Sequence, residues 1–165
     1  MSRSPEPSQA DVEVRFEDLY RREYPNLIAV ATALSGRDGE DLVQDAMLRA
    51  LGRWSTVRQL DRPGGWCHRV LVNLCRSAWR RKLVEARFIS SLRRDEQSTI
   101  GPTEDVVAFW AAVRELPERP RLAFALHYAG DRSLAEVAAI LGVPEGTVSS
   151  DLTRARSFLK TRIER

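Results

Sequence analysis

Apolar residues in this chain recur at three- and four-residue spacing along most of its length, and no stretch alternates in the strand manner, so the chain can bury itself only as packed helices. Phe16, Leu19, Tyr20, Tyr24, Leu27, Ile28 and Ala31 mark one face of a first helix, with Pro25 a place for a kink or a break. Ser35-Gly36-Arg37-Asp38-Gly39 is turn chemistry, and Asp38 or Gly39 can cap a second helix carrying Leu42, Val43, Ala46, Met47, Ala50 and Leu51. A third helix is expected from about Pro63 to Leu83, with Trp66, Val70, Leu71, Leu74 and Ala78 inward. The fold class is all-α, and 165 residues suffice for one ordinary domain or two small ones.

The pattern breaks in two places. Residues 1–13 are rich in Ser, Pro and acids and read as a disordered tail. Residues 84–103 lose the period and carry Ser90, Ser91, Gly101 and Pro102, the composition of a flexible linker. Two small helical domains follow, 14–83 and 104–165. The second opens at Thr103 with Glu104 and Asp105 in the first turn, and Val106, Val107, Trp110, Val113 and Leu116 supply its apolar face.

Near the carboxy terminus, Leu134, Val137, Ala138 and Leu141 form a short amphipathic helix that Ser133 can cap. Gly142 ends it, and Val148, Leu152, Ala155 and Leu159 line the inner face of the next helix, where Pro144 suits a first helical position. Two short helices joined by a Gly-containing turn are the layout of a helix-turn-helix, whose second helix enters the major groove. The outer face of that helix carries Thr147, Ser149, Ser150, Thr153, Arg154 and Ser157, donors suited to phosphates and base edges, while Glu145 and Asp151 weaken its positive field. A solvated face of an ordinary three-helix bundle fits the spacing as well.

Charge is distributed unevenly. The net +3 conceals −2 over residues 1–65, +7 over 66–94, −4 over 95–144 and +2 over 145–165, a pattern that suggests a polyanion met at two places. Only Lys82 and Lys160 are lysines, which fits either genomic base composition or the bidentate phosphate chemistry of Arg. Arg69, Asn73, Arg76, Ser77, Arg80 and Arg81 recur on the third helix behind a permissive loop, Arg58–Gly65, that contains Arg62. Arginines with aromatic groups beside such a loop can hold a single strand of nucleic acid, although Trp66 and Trp79 are equally suited to anchoring a core.

Several classes drop out. Cys67 and Cys75 are too few for a disulfide framework and too far apart on a helix to bridge, and with His68 they lack metal-ligand spacing. The most apolar stretch, Leu27–Leu34, is far short of the ~20 residues of a membrane span, and no apolar segment follows Met-Ser-Arg-Ser, so a cytoplasmic protein without membrane insertion is expected. His68 and His127 are the only histidines, and no nucleophile elbow or phosphate loop is present, so neither catalysis nor a cofactor is expected.

The segment Asp41-Leu42-Val43-Gln44-Asp45-Ala46-Met47-Leu48-Arg49-Ala50, then Trp66, Arg69, Val72-Asn73-Leu74 and Arg80-Arg81-Lys82, resembles region 2 of the extracytoplasmic-function (group IV, sigma-70 family) RNA polymerase sigma factors, in an actinobacterial SigE-like form. Leu116-Pro117-Glu118-Arg119-Pro120-Arg121, Leu134–Ala138, Leu141–Val148 and Arg154-Ala155-Arg156 resemble their region 4. The resemblance implies a factor that binds core RNA polymerase and promoter DNA and initiates transcription. It implies that Asp41, Gln44, Asp45, Leu48 and Arg49 dock on polymerase, and that Arg62, Trp66, Arg69, Asn73, Arg76 and Arg80 engage the single-stranded −10 element. It further implies that Thr147, Ser149, Ser150, Thr153, Arg154 and Arg156 read the −35 duplex. An anti-sigma factor is a partner it implies for many members.

The sequence departs from the pattern at Ser77, where Asp is common, and at Ser149 and Asp151, where Lys or Arg is frequent, which bears on promoter sequence rather than activity. A one-component helix-turn-helix regulator would account for the second half and leave Asp41–Arg49 without a task. The weak +2 of the last segment predicts poor DNA binding by the free chain, with affinity gained when polymerase holds both domains on one promoter.

Overall fold

The computed structural model describes residues 15–88 and 103–164, and every regular element among them is helical. The tail 1–13, most of the expected linker and Arg165 lie outside the described residues.

The front half is built on α1 (Phe16–Ser35), which buries Leu19, Leu27, Val30, Ala31 and Leu34. Pro25 does not end it: the helix runs through, and both Arg21 and Pro25 face solvent, where water can satisfy the carbonyl that proline leaves unpaired. A 3-10 turn, Gly36–Asp38, leads into α2 (Gly39–Gly52). Asp38 stands at the N-cap without a side-chain cap bond. Gly39 is there for space: a Cβ would lie 2.6 Å from the backbone carbon of Ala31, so α2 starts directly against α1. The short α3 (Trp54–Val57) precedes α4 (Pro63–Phe88).

Helix α4 corrects two expectations. It continues five residues past Leu83, so 84–88 are helical rather than linker, and Pro63, Gly64 and Gly65 form its first turn rather than a loop. Its buried face is also rotated from the one the large apolar residues suggest. Cys67, His68, Leu71, Val72 and Cys75 are buried, whereas Trp66, Val70, Leu74 and Ala78 are half-buried. Both cysteines are buried as small apolar groups, and Cys75 Sγ accepts from the Ser35 hydroxyl at 3.8 Å.

Burial pushes the Cys67 thiol up to about 12 and the Cys75 thiol up to about 11. Nearly all of each thiol is protonated at pH 8, and thiolate is the reactive form. A disulfide-exchange reagent such as dithionitrobenzoate is therefore expected to modify neither cysteine in the native protein and both in denaturant. Rapid stoichiometric labelling of the native chain would contradict this packing.

The back half comprises α5 (Glu104–Arg114), α6 (Glu118–Phe124), a π-helical turn (Ala125–Ala129), α7 (Leu134–Leu141) and α8 (Glu145–Ile163). Thr103 occupies the N-cap of α5 without a side-chain bond, and Val106 and Val107 are exposed, so the α5 face that packs is Phe109, Trp110 and Val113. Phe109, Trp110 and Phe124 meet at centroid distances of 5.2–6.3 Å. The buried residues of both halves form one continuous cluster, with α1 packed against α5 and the π-turn, and α4 against α7.

Candidate nucleic-acid interface

The helix-turn-helix forms as the sequence dictates. Ser133 closes a capping box with Glu136, its hydroxyl accepting from the Glu136 amide at 3.2 Å and the Glu136 carboxylate accepting from the Ser133 amide at 2.8 Å. These bonds hold the Glu136 carboxyl below its ordinary value, the Ser133 amide contributing most. Gly142 ends α7 at φ 67°, a left-handed C-cap that glycine adopts without a Cβ penalty. Pro144 sits at the N-cap of α8, one position earlier than expected. Ser133→Ala is expected to cost about 0.5–2 kcal/mol of stability, read from chemical denaturation, and a stability equal to wild type would mean the box contributes nothing.

On α8, Val148, Leu152, Ala155 and Leu159 are buried, and Ser149, Ser150, Thr153, Arg154 and Arg156 are exposed on the other side, with Thr147 half-buried at the edge. Asp151 is not on that outer face. It is completely buried and accepts two bonds from the Arg119 guanidinium, at 2.6 and 3.2 Å, so its charge is matched by Arg119 and is not presented on the outer face. The Ser150 hydroxyl donates to Gly146 O and that of Thr153 to Ser149 O, each at 3.0 Å, leaving their lone pairs outward. Arg156 Nε donates to the Tyr128 hydroxyl at 2.8 Å, which steadies its guanidinium over the helix edge.

In the front half, Asp41, Gln44, Leu48 and Arg49 are exposed along α2 and Asp45 is half-buried, bonded to Arg49 Nε at 3.0 Å. Leu48 and Leu51 are 66% and 51% exposed, more apolar surface than a helix facing only water calls for.

The α4 residues fall into two groups. Trp66 and Asn73 line a groove of about 840 Å³ between α2 and α4, together with Asp45, Arg49, Arg53, Ser77 and Arg81. Arg69 and Arg76, expected on the same stripe, turn toward the back half: Arg69 Nη2 donates to Ala139 O at 2.7 Å, and Arg76 Nε donates to Glu118 at 2.6 Å. Arg62 and Arg80 are exposed. Trp66 and Trp79 are half-buried against the core, and Trp79 also carries the Arg121 guanidinium 4.3 Å from its ring centroid. Arg81 of the expected stripe lines this groove, and Arg53 joins it from the end of α2 with no sequence signal to mark it.

Sequence reasoning missed a buried ionic cluster between the halves. Glu23 of α1, 5% exposed, pairs with Arg132, which precedes α7, and Arg132 also reaches Glu136 at 3.5 Å. His68 Nδ1 donates to Gly64 O at 3.0 Å and lies 3.9 Å from Glu23. Burial lowers its basicity, so the ring is held neutral. The only hint in the sequence is a lone acid, Glu23, on the otherwise apolar side of α1.

Among the described residues no group of three or more His, Cys, Asp or Glu side chains could hold a metal, and no helix is long and apolar enough to cross a membrane.

Residues 19–83 match the family described as Sigma-70 region 2, and residues 107–159 match Sigma-70, region 4. The chain is similar to the ECF RNA polymerase sigma factor SigM of Mycobacterium tuberculosis, 31% identical over 159 residues that cover 87% of this chain and 74% of that protein. It is also similar to the RNA polymerase sigma-E factor of Streptomyces antibioticus, 29% identical over 155 residues that cover 92% of this chain and 86% of that protein. Among solved structures, the sigma factor RpoE of Bartonella quintana, in complex with the anti-sigma factor NepR, superposes with a TM-score of 0.77 at 26% identity, covering 90% of this chain and 96% of that one.

Proposed function

Because the chain belongs to the extracytoplasmic-function sigma factors of the sigma-70 family and is thereby an alternative sigma factor that directs RNA polymerase to specific promoters, we propose that its two halves divide that task by surface. The likeness to Streptomyces sigma-E fits the actinobacterial SigE-like subgroup. The front half, 14–83, docks on polymerase through Asp41, Gln44, Asp45, Leu48 and Arg49. The same half engages the opened −10 strand through Arg62, Trp66, Arg69, Asn73, Arg76 and Arg80. The back half, 104–165, reads the −35 duplex through Thr147, Ser149, Ser150, Thr153, Arg154 and Arg156. The observation that carries this reading is the exposed outer face of α8 in the same chain as the region 2 block.

Each role has a physical basis. Leu48 offers a polymerase helix apolar area, and its charged neighbours fix register. Trp66 and Asn73 share one groove, so an extruded base would meet a stacking surface and an amide; extrusion costs a few kcal/mol, which these contacts must offset. The exposed hydroxyls and Arg154 present donors and acceptors of the kind that base edges in the major groove accept. The family works without chemistry of its own, and on this reading the chain has no catalytic residue, needs no cofactor and acts in the cytoplasm, where an anti-sigma factor can hold it as one holds the Bartonella protein.

The test is transcription. Purified protein added to core polymerase and a library of promoter fragments is expected to yield transcripts starting at a shared set of sites. Tight operator binding by the protein alone, with no promoter-specific start, would instead favour a one-component regulator.

A further inference from the structure

We propose that Asp151, acting through Arg119, is a positioning residue for promoter recognition: its buried carboxylate fixes how α8 is rolled on α6, and so where the outer face of α8 meets the bases of the −35 duplex. The inference rests on the proposed function in one respect: it takes that face as the −35 reader.

The residues on that face set a narrow tolerance. Ser149, Ser150 and Thr153 are exposed beside Arg154, and all but the arginine are short. A long side chain can flex to find a base edge when its helix sits slightly off, whereas a serine cannot. Their directions are narrowed further, since the Ser150 and Thr153 hydroxyls donate to carbonyls one turn back. Side-chain ends ride about 6 Å from a helix axis, so a roll of about 10° displaces them by about 1 Å. Recognition contacts must be held within about 0.5 Å. The backbone of α8 therefore has to be placed more closely than if lysines or arginines filled this face.

The apolar inner face does not supply that placement alone. Val148, Leu152, Ala155 and Leu159 hold α8 down, but apolar burial has no direction and permits small rolls. Asp151 supplies the direction. It stands at the border of the inner and outer faces, one helical turn from both Thr147 and Arg154. One guanidinium holds both of its oxygens, Arg119 Nε donating to Oδ2 at 2.6 Å and Nη2 to Oδ1 at 3.2 Å. Paired bonds from a planar fork fix orientation as well as distance. The helix that carries Arg119 is itself anchored, because Arg121 donates twice to Leu116 O, at 3.1 and 2.9 Å. On the opposite flank of α8, the bond from Arg156 to Tyr128 gives a second directional tie. A buried ion pair adds little net stability, since desolvation offsets attraction, and two apolar side chains of similar volume hold a helix as firmly. What the pair adds beyond them is orientation.

The test separates holding from orienting. Arg119→Met combined with Asp151→Leu removes both charges and strands neither, so the double variant is expected to fold and to melt at or above the wild-type midpoint. Promoters selected by the wild-type holoenzyme are then transcribed beside the same promoters carrying single −35 substitutions, and the ratio of transcript yields measures discrimination. For the double variant that ratio is expected to fall about tenfold, the worth of one base contact, with −10 discrimination unchanged. Arg119→Lys leaves the carboxylate a cation but no fork, and should lose about threefold, half the free energy of a tenfold loss. It carries the test if the double variant does not fold. A wild-type ratio in a folded variant overturns the positioning role and leaves the pair a stabiliser. An even loss over all −35 sequences overturns it too, because that is the mark of a missing phosphate contact. A wild-type holoenzyme without −35 discrimination overturns the reading of α8 itself, and the proposal with it, before any variant is compared.

Discussion

Leu152→Ala is expected to cost about 2–5 kcal/mol of stability and to lower the melting midpoint by roughly 6–15 °C. Leu152 is 1% exposed on the inner face of α8 and belongs to the same buried cluster as Leu122 and Leu126. Helix α8 packs against α6, α7 and α5, and the capping box of α7 and the bond from Arg119 to the buried Asp151 leave little freedom to collapse into the space. The loss includes the transfer energy of the removed atoms and a cavity term, and both fall on the helix that presents Ser149 and Arg154. Binding to the −35 element should therefore weaken in step with the unfolded fraction and recover on cooling. A melting midpoint within about 2 °C of wild type would show that α8 is not held by this face.

How much of this was readable in advance follows from the range over which each signal acts. The α8 inner face, the Ser133 cap and the Gly142 stop are local: spacing within one turn and the chemistry of a single residue decide them, and each stands where the sequence indicates. The α4 face differs by a fraction of a turn because periodicity weights large apolar residues, while small ones also take buried positions, Cys67 and Cys75 here and Gly39 on α2 against α1. Asp151 looked like a liability on the DNA side for a similar reason. Its position between Ser150 and Leu152 fixes only an angle, and the partner that buries it, Arg119, lies 32 residues away. The Glu23–Arg132 pair spans 109 residues, beyond any periodic signal, and a single acid on an apolar face is its sole trace. The stripe on α4 was correctly grouped as polar, but which neighbour each arginine meets depends on the docking of the halves. Trp66 and Asn73 face the α2 groove, and Arg69 and Arg76 face α7 and α6.

Two positions along the same helix from Leu152, Arg154→Ala is expected to show the opposite signature. Arg154 is exposed, and its side chain makes no ion pair or hydrogen bond among those described, so truncation should leave stability within about 0.5 kcal/mol of wild type. On a promoter the same guanidinium is free to lie against a base edge, where a bidentate contact is worth about 1–3 kcal/mol, or roughly 5- to 150-fold. The neighbours on that face are less free: Ser150 and Thr153 have committed their hydroxyl protons within the helix, and Arg156 is tied to Tyr128. Arg154 thus remains the side chain with an uncommitted pair of donors at the centre of the outer face. Promoter selection by the Arg154→Ala holoenzyme, read by sequencing transcript starts, should lose preference at one or two adjacent −35 positions and keep its −10 preference. A phosphate-only role would weaken all promoters evenly and flatten the salt dependence instead. Unchanged promoter choice and unchanged affinity together would remove Arg154 from the recognition surface and leave Ser149 as the residue to test next.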